Sequence, residues 1–313
     1  MKNKIMAMLV AFGLVGSVSA VEINENLSIN GFIDGSITKS DRGTALTTPV
    51  GDTADWGLDE IEVDFLFNVG SVSGAVHVDT EDVDNESGMS IEQAHFTYTL
   101  DNGVSLTFGR YGSALGLERE DPAGLYTYSR AYGDTAFNLG NIDGVGGVEG
   151  LTVSYAAEAW SLGVSIDNPS GSIRENNSKN DLDFEVALSY TGIENLTLNI
   201  GHRADNAVLA ADDVDVTNIN ATYQVGKALL GAEWSQLDTA TVDFDAHMLL
   251  VDYDVSDKLG VAVRYSSYES GVGVDVDQIT IAPNYAITES LGAILEYSDV
   301  SHDTANMDSR SEE

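Results

Sequence analysis

Apolar and polar residues exchange places every second position through most of this chain. In 27–38, Leu27, Ile29, Ile33 and Ile37 share one face, while Ser28, Asn30, Asp34, Ser36 and Thr38 share the other. In 58–69, Ile61, Val63, Phe65 and Phe67 oppose Glu60, Glu62, Asp64 and Asn68. Phe184, Val186, Leu188 and Tyr190 oppose Asp183, Glu185 and Ser189, and Leu291, Leu295 and Tyr297 oppose Glu296 and Ser298. A period of two marks strands with one apolar face. The pattern predicts strands near 27–38, 58–69, 71–79, 91–100, 103–111, 148–156, 159–167, 181–191, 195–203, 214–225, 227–236, 244–254, 257–267, 275–286 and 289–300. In 214–225 and 244–254 the apolar residues switch parity midway, which leaves the register of both open.

The connections divide into two kinds. Tight turns at Gly70, Asp101-Asn102, Ala157-Glu158, 192–194, Gly226, Ser256 and Thr288 follow every second strand. Longer polar segments, 39–57, 80–90, 112–147, 168–180, 204–213, 237–243 and 268–274, follow the others. Short turns at one end and long loops at the other describe an outer-membrane barrel. Phe67, Tyr98, Tyr155, Tyr190, Tyr223, Tyr253 and Tyr285 come just before the tight turns, on the apolar face. Trp234, Tyr265 and Tyr297 lie near the opposite ends. Aromatic rings gathered at both ends are the girdles of a membrane barrel.

The expected fold is therefore all-β: a transmembrane antiparallel up-and-down barrel of about sixteen strands. Fifteen are visible, and the closing C-terminal strand is expected to be missing, because bacterial single-chain barrels have even strand numbers. Residues 1–20 read as an export signal peptide: Lys2 and Lys4, an apolar centre from Ile5 to Val15, then Val18-Ser19-Ala20 as a small-residue cleavage site. Residues 21–313 form the expected barrel, interrupted once by the long loop 112–147.

Charge narrows the function. With 14 basic and 51 acidic residues the net charge is −37, which argues against nucleic acid as a partner. There is no cysteine, so an exported chain must be held by its core, by sheet closure or by the membrane. By parity Glu62, Asp64, Asp183, Glu185, Glu233 and Glu296 point into the lumen, against Arg203 and Arg264. Ionised carboxylates raise the local cation concentration, which predicts a cation-preferring pore. The 109–138 stretch carries mixed charge among tyrosines and is expected to fold into the channel mouth. Glu118, Glu120 and Asp121 would form one side of the constriction, with Arg110, Arg119 and Arg130 facing them or tying the loop to the wall.

Catalysis and metal binding find little support. His77 and His95 are candidate lumenal neighbours, but no carboxylate spacing in the sequence makes a specific zinc site of them. His202 falls by parity on the lipid side, with no serine partner for a lipase. No phosphate-binding glycine loop or nucleophile elbow occurs. No enzyme activity, cofactor or bound metal is expected.

The segment Leu106 to Gly112, LTFGRYG, resembles Gram-negative outer-membrane porins at the end of the strand that precedes their third external loop. Glu118 to Tyr132, EREDPAGLYTYSRAY, resembles the β-barrel porin-2 group more than the general trimeric porins. The Pro-Glu-Phe-Gly-Gly loop tip of the latter is replaced here by Glu120-Asp121-Pro122-Ala123-Gly124. The resemblance implies a Gram-negative outer-membrane location, contact with outer-membrane lipid, and passive diffusion of small hydrophilic solutes or ions. A homotrimer is implied only through the general porins. The competing expectation is a plugged structural or adhesive barrel whose external loops bind a partner.

Overall fold

The computed structural model describes residues 3–13, 20–41, 53–81, 89–118, 125–133, 135, 137, 139, 147–168, 182–205, 214–239, 243–270 and 274–304. These residues form one antiparallel sheet. Its strands are β1 (Asn3–Gly13), β2 (Val21–Asn24), β3 (Leu27–Asp41), β4 (Thr53–Val69), β5 (Val72–Glu81) and β6 (Ser90–Thr99). They continue with β7 (Val104–Gly112), β8 (Gly147–Ala156), β9 (Trp160–Asp167), β10 (Asp183–Ile193), β11 (Leu196–Asp205) and β12 (Val214–Val225). The last are β13 (Ala228–Thr239), β14 (Asp243–Asp254), β15 (Leu259–Ser270), β16 (Val274–Ala286) and β17 (Gly292–Thr304).

From β3 to β17 each strand pairs with the next, so all fifteen expected strands are present in up-and-down order. Two further strands went unforeseen. The short β2 pairs with the start of β3. β1, within the expected leader, pairs antiparallel with β17 along its length and with β3 from Met6 to Gly13. β3 and β17 run the same way, and β1 lies between them antiparallel to both. β1 takes the position for which a strand beyond the fifteenth was expected.

Alternation decides which face meets lipid. The seven aromatic residues before the tight turns are 39–48% exposed, all on the outside of the ring. Tyr155 and Trp160 meet across β8 and β9 with ring centroids 5.7 Å apart. On the inner face, polar and charged side chains are buried: Asp34, Glu62, Asp64, Asp183, Glu185, Asn218, Asn220, Arg203 and Arg264 among them. Among the register shifts in the ladders, two matter for the lumen, one beside Asp34/Gly35 opposite Asp59, the other beside His77/Val78 opposite Glu92. Each adds a residue on one strand and swings a carboxylate inward.

The two faces predict opposite tolerances. Ile200→Arg, near the middle of β11 on the outer face, is expected to cost about 2–4 kcal/mol in a bilayer. Ser189→Ala on the inner face is expected to stay within about 0.5 kcal/mol. Reversible unfolding in lipid vesicles measures both, and equal costs would contradict the assigned faces.

Candidate functional site

After β7 the chain turns into the ring. Ser113, Leu115, Glu118, Thr127, Ala131, Tyr132, Phe137 and Leu139 are all buried. A segment placed there loses water as a partner, so its backbone N–H groups need acceptors on the wall. The outgoing limb finds them in succession. Glu185 on β10 accepts from the Ser113 hydroxyl (2.6 Å) and the Ala114 amide (3.0 Å). Asn218 on β12 accepts from the Gly116 amide at 3.2 Å, and Glu233 on β13 from the Leu117 amide at 2.8 Å. The returning limb is held in the same manner. Glu296 on β17 accepts from the amides of Tyr128 (2.8 Å) and Ser129 (3.1 Å). The Tyr128 hydroxyl donates to Asp59 on β4 at 2.7 Å, and the Tyr132 hydroxyl to Glu233 at 3.3 Å. Burial, followed by neighbouring carboxylates, pushes both phenols above their ordinary range, so they stay protonated and donate.

Two arginines complete the attachment. Arg264 on β15 places Nη1 2.6 Å from Glu118 Oε1, the Thr127 hydroxyl and the Ser129 carbonyl, with Nη2 3.0 Å from the Ser129 hydroxyl. Glu118 also accepts from the Ala131 amide at 2.7 Å, so this pair clamps the two limbs together. Arg203 on β11 sits among Asp167 (2.6 Å), Asp183 (3.1 Å) and Glu185 (3.5 Å). Asp167 and Asp183 face each other across β9 and β10, a like-charge pair that a guanidinium between them relieves. Through Glu185, Arg203 also orients the first loop contact.

Packing adds to the polar ties. Leu115, Ala131, Tyr132, Phe137 and Leu139 form an apolar cluster with Val216, Leu237, Ala246 and Met248 of β12–β14. The cluster explains the parity switch in 214–225 and 244–254. Near their outer ends these strands turn Val216, Ala246 and Met248 inward to meet the loop, while Ile219, Leu249 and Val251 face lipid. Two inward glycines make room. A Cβ on Gly201 would collide with Leu115 Cδ2, and one on Gly231 would lie 3.2 Å from Leu117 Cδ2.

The residues singled out in the sequence fall into three groups. Glu62, Asp64, Asp183, Glu185, Arg203, Glu233, Arg264 and Glu296 are all buried on the inner face. Glu118 is buried too, but its carboxylate is engaged by Arg264 and Ala131, so it ties the loop. Arg130 is half-buried in the returning limb, whereas Arg119, Glu120 and Asp121 lie outside the described residues. Arg110 departs from expectation. It shares the face of exposed Phe108, whereas the neighbouring Tyr111 turns inward to bond Thr152 at 2.5 Å. One step of alternation therefore carries Arg110 away from the lumen. His77 and His95 do point inward, but the register running from Val72↔Tyr98 sets His77 opposite Gln93 and His95 opposite Ala75. His202 lies outward and meets Thr217 at 3.1 Å. Asp59, Asn218, Asp167 and the two glycines went unnoticed. Asp59 owes its direction to a bulge, and Asn218 and the glycines matter only through a loop far away in sequence.

Below the loop, a cavity of about 450 Å³ reaches Ser105, Thr152, Ser154, Ser189, Asn199 and Asn218 on β7–β12. Another of about 430 Å³ lies along β2–β6, reaching Glu22, Ser28, Asn68 and His95. The first mixes its polar side chains with Leu115, Leu162, Ala187 and Ile200, and the second with Leu27, Leu66 and Phe67. The arrangement is a wet, charged lumen narrowed by a segment of the chain itself.

Comparisons with known proteins agree with this geometry. Residues 53–312 match the family described as "Putative beta-barrel porin-2, OmpL-like". No curated protein sequence matches the chain significantly. Among solved structures, the outer-membrane channel DcaP of Acinetobacter baumannii is 14% identical with a TM-score of 0.56, covering 96% of each chain. In-vitro folded OmpT of Vibrio cholerae, a trimer form, is 14% identical with a TM-score of 0.53, covering 97% of this chain and 99% of its own. The anion-selective porin of Comamonas acidovorans is 12% identical with a TM-score of 0.52, covering 96% and 99%. At such identities the likeness is one of fold. The family match spans most of the sequence, and this chain belongs to the β-barrel porin-2 family, as a solute channel of the Gram-negative outer membrane.

Proposed function

We propose that this porin passes small hydrophilic solutes by diffusion, prefers cations, and owes its bore to the loop that follows β7. The observation that carries the reading is the charge of the lumen. Among the described residues, eleven buried carboxylate residues stand against two buried arginines, Arg203 and Arg264, and both arginines are engaged by carboxylates. An ionised, low-dielectric corridor of one sign concentrates the opposite ion. Residues 1–20 are read as an export leader, whose removal requires that the position between β3 and β17 be paired by other means, since open strand edges are not stable in lipid. A homotrimer is part of the proposal, supported by the trimer form of the Vibrio cholerae neighbour.

A second reading has an observation in its favour. The apolar cluster of Leu115, Tyr132 and Phe137 against Met248 is the kind of packing that a plug needs. A plugged barrel whose external loops hold a partner would admit no solute into liposomes, and a porin would.

Two outcomes are expected in planar bilayers. Under a potassium chloride gradient the reversal potential has the sign of cation selectivity; anion selectivity, or no channels at all, would contradict the proposal. Arg264→Met removes one partner of the Glu118 pair, and breaking a buried pair costs about 3–5 kcal/mol. The loop is then expected to loosen, with higher single-channel conductance and faster proteolysis within 113–139. Unchanged conductance would mean that the loop does not set the bore.

A further inference from the structure

We propose that Glu62, His77 and Glu92, assisted by Asp64, form a site for one divalent transition-metal ion on the lumen wall. The three strands β4, β5 and β6 bring them together. Glu62 and Asp64 are two residues apart on β4 and so share the inner face, and Asp64 stands opposite His77. Glu92 joins them only because of the bulge: the ladder passes from His77↔Gln93 to Val78↔Ile91 and skips Glu92. The extra residue turns its carboxylate inward, and Glu92 is 3% exposed while Ile91 faces outward. Bulges recur where a strand must re-aim a side chain.

The donors converge. His77 Nδ1 lies 2.9 Å from Glu62 Oε1, 3.3 Å from Asp64 Oδ1 and 4.0 Å from Glu92 Oε2. One donor atom each from Glu62, His77 and Glu92 lies within 4.8 Å of the others. Zinc bonds of about 2.0–2.2 Å to nitrogen and oxygen put tetrahedral donors roughly 3.4 Å apart. The observed separations bracket that spacing. Asp64 is 8% exposed, and its Oδ1, aimed into the cluster, makes no hydrogen bond. A single imidazole N–H bonds one oxygen at a time, so a proton on Nδ1 serves at most one of the three carboxylates facing it. A metal ion in its place would lie within reach of all three at once.

The donor set also indicates the class of ion. Carboxylates alone would suit calcium or magnesium, whereas an imidazole at the centre favours zinc, copper or nickel. The His77 side chain keeps 17% of its surface open, so an ion can enter from channel water. The site does not depend on the cation preference proposed above, and its test does not require conduction.

The full chain, folded in detergent micelles, is titrated with zinc chloride in a non-chelating buffer by calorimetry. One ion per chain is expected. His77→Ala and Glu92→Gln are each expected to weaken binding at least about tenfold, whereas His247→Ala, an imidazole on the outer face, leaves it unchanged. The shift in gel mobility between heated and unheated samples verifies that each variant is folded. With cobalt(II) as the probe, a visible absorption band should appear in the parent and be lost in His77→Ala. Binding that survives His77→Ala in folded protein, or no binding beyond what magnesium displaces, would overturn the site. In the latter case the cluster shares a proton only.

Discussion

A backbone that enters a ring of strands carries its N–H groups away from bulk water, and each needs an acceptor there. The lumen wall beside the loop answers that need. Glu185, Asn218, Glu233 and Glu296 each accept from loop amides, on four different strands. Charged acceptors give hydrogen bonds of about 1.5–3 kcal/mol, roughly twice the neutral kind. Carboxylates at these positions therefore hold the loop by charge-assisted hydrogen bonds. Arg203 and Arg264 limit the repulsion that such a density of acids creates. They do so from within the same network, so wall charge and loop position are coupled.

Most of the fold was legible in the sequence because a one-sided strand must alternate. The parity of Glu62, Asp183, Glu185, Glu233 and Glu296 was readable for the same reason: in a wet lumen a charged face is cheaper than an apolar one. Legibility failed where tertiary contact overrode that pattern. Val216 and Met248 are apolar yet face inward, since the loop and not lipid covers them. Arg110 looked lumenal by its place in a charged stretch, but its strand continues to alternate past Phe108. Asp59 and Glu92 reach the lumen through bulges, which local composition does not reveal. β1 went unseen because an export leader and a barrel strand can be written in the same apolar residues.

Both bulges aim a carboxylate inward from the same wall. One sends Asp59 toward the Tyr128 hydroxyl and thereby fixes the returning limb on β4. The other gathers Glu92 beside His77, a few residues further round the same wall. A departure from regular pairing weakens a ladder locally, and in both cases the gain is a carboxylate aimed at something inside. The loop seats work by subtraction. Gly201 lacks the side chain that would collide with Leu115, and Gly231 the one that would crowd Leu117.

The segment after β7 lies inside the ring, held against β10–β17. The chain has no cysteine, which makes the most direct measurement clean. With Leu117→Cys and Gly231→Cys introduced together, mild oxidation of intact cells should form an intramolecular disulfide, seen as a mobility shift of the denatured, unreduced protein. Each single variant should show none. Failure of the folded double variant to cross-link, with the thiol introduced at position 117 instead open to a large reagent added outside the cells, would place the loop on the surface and contradict the account.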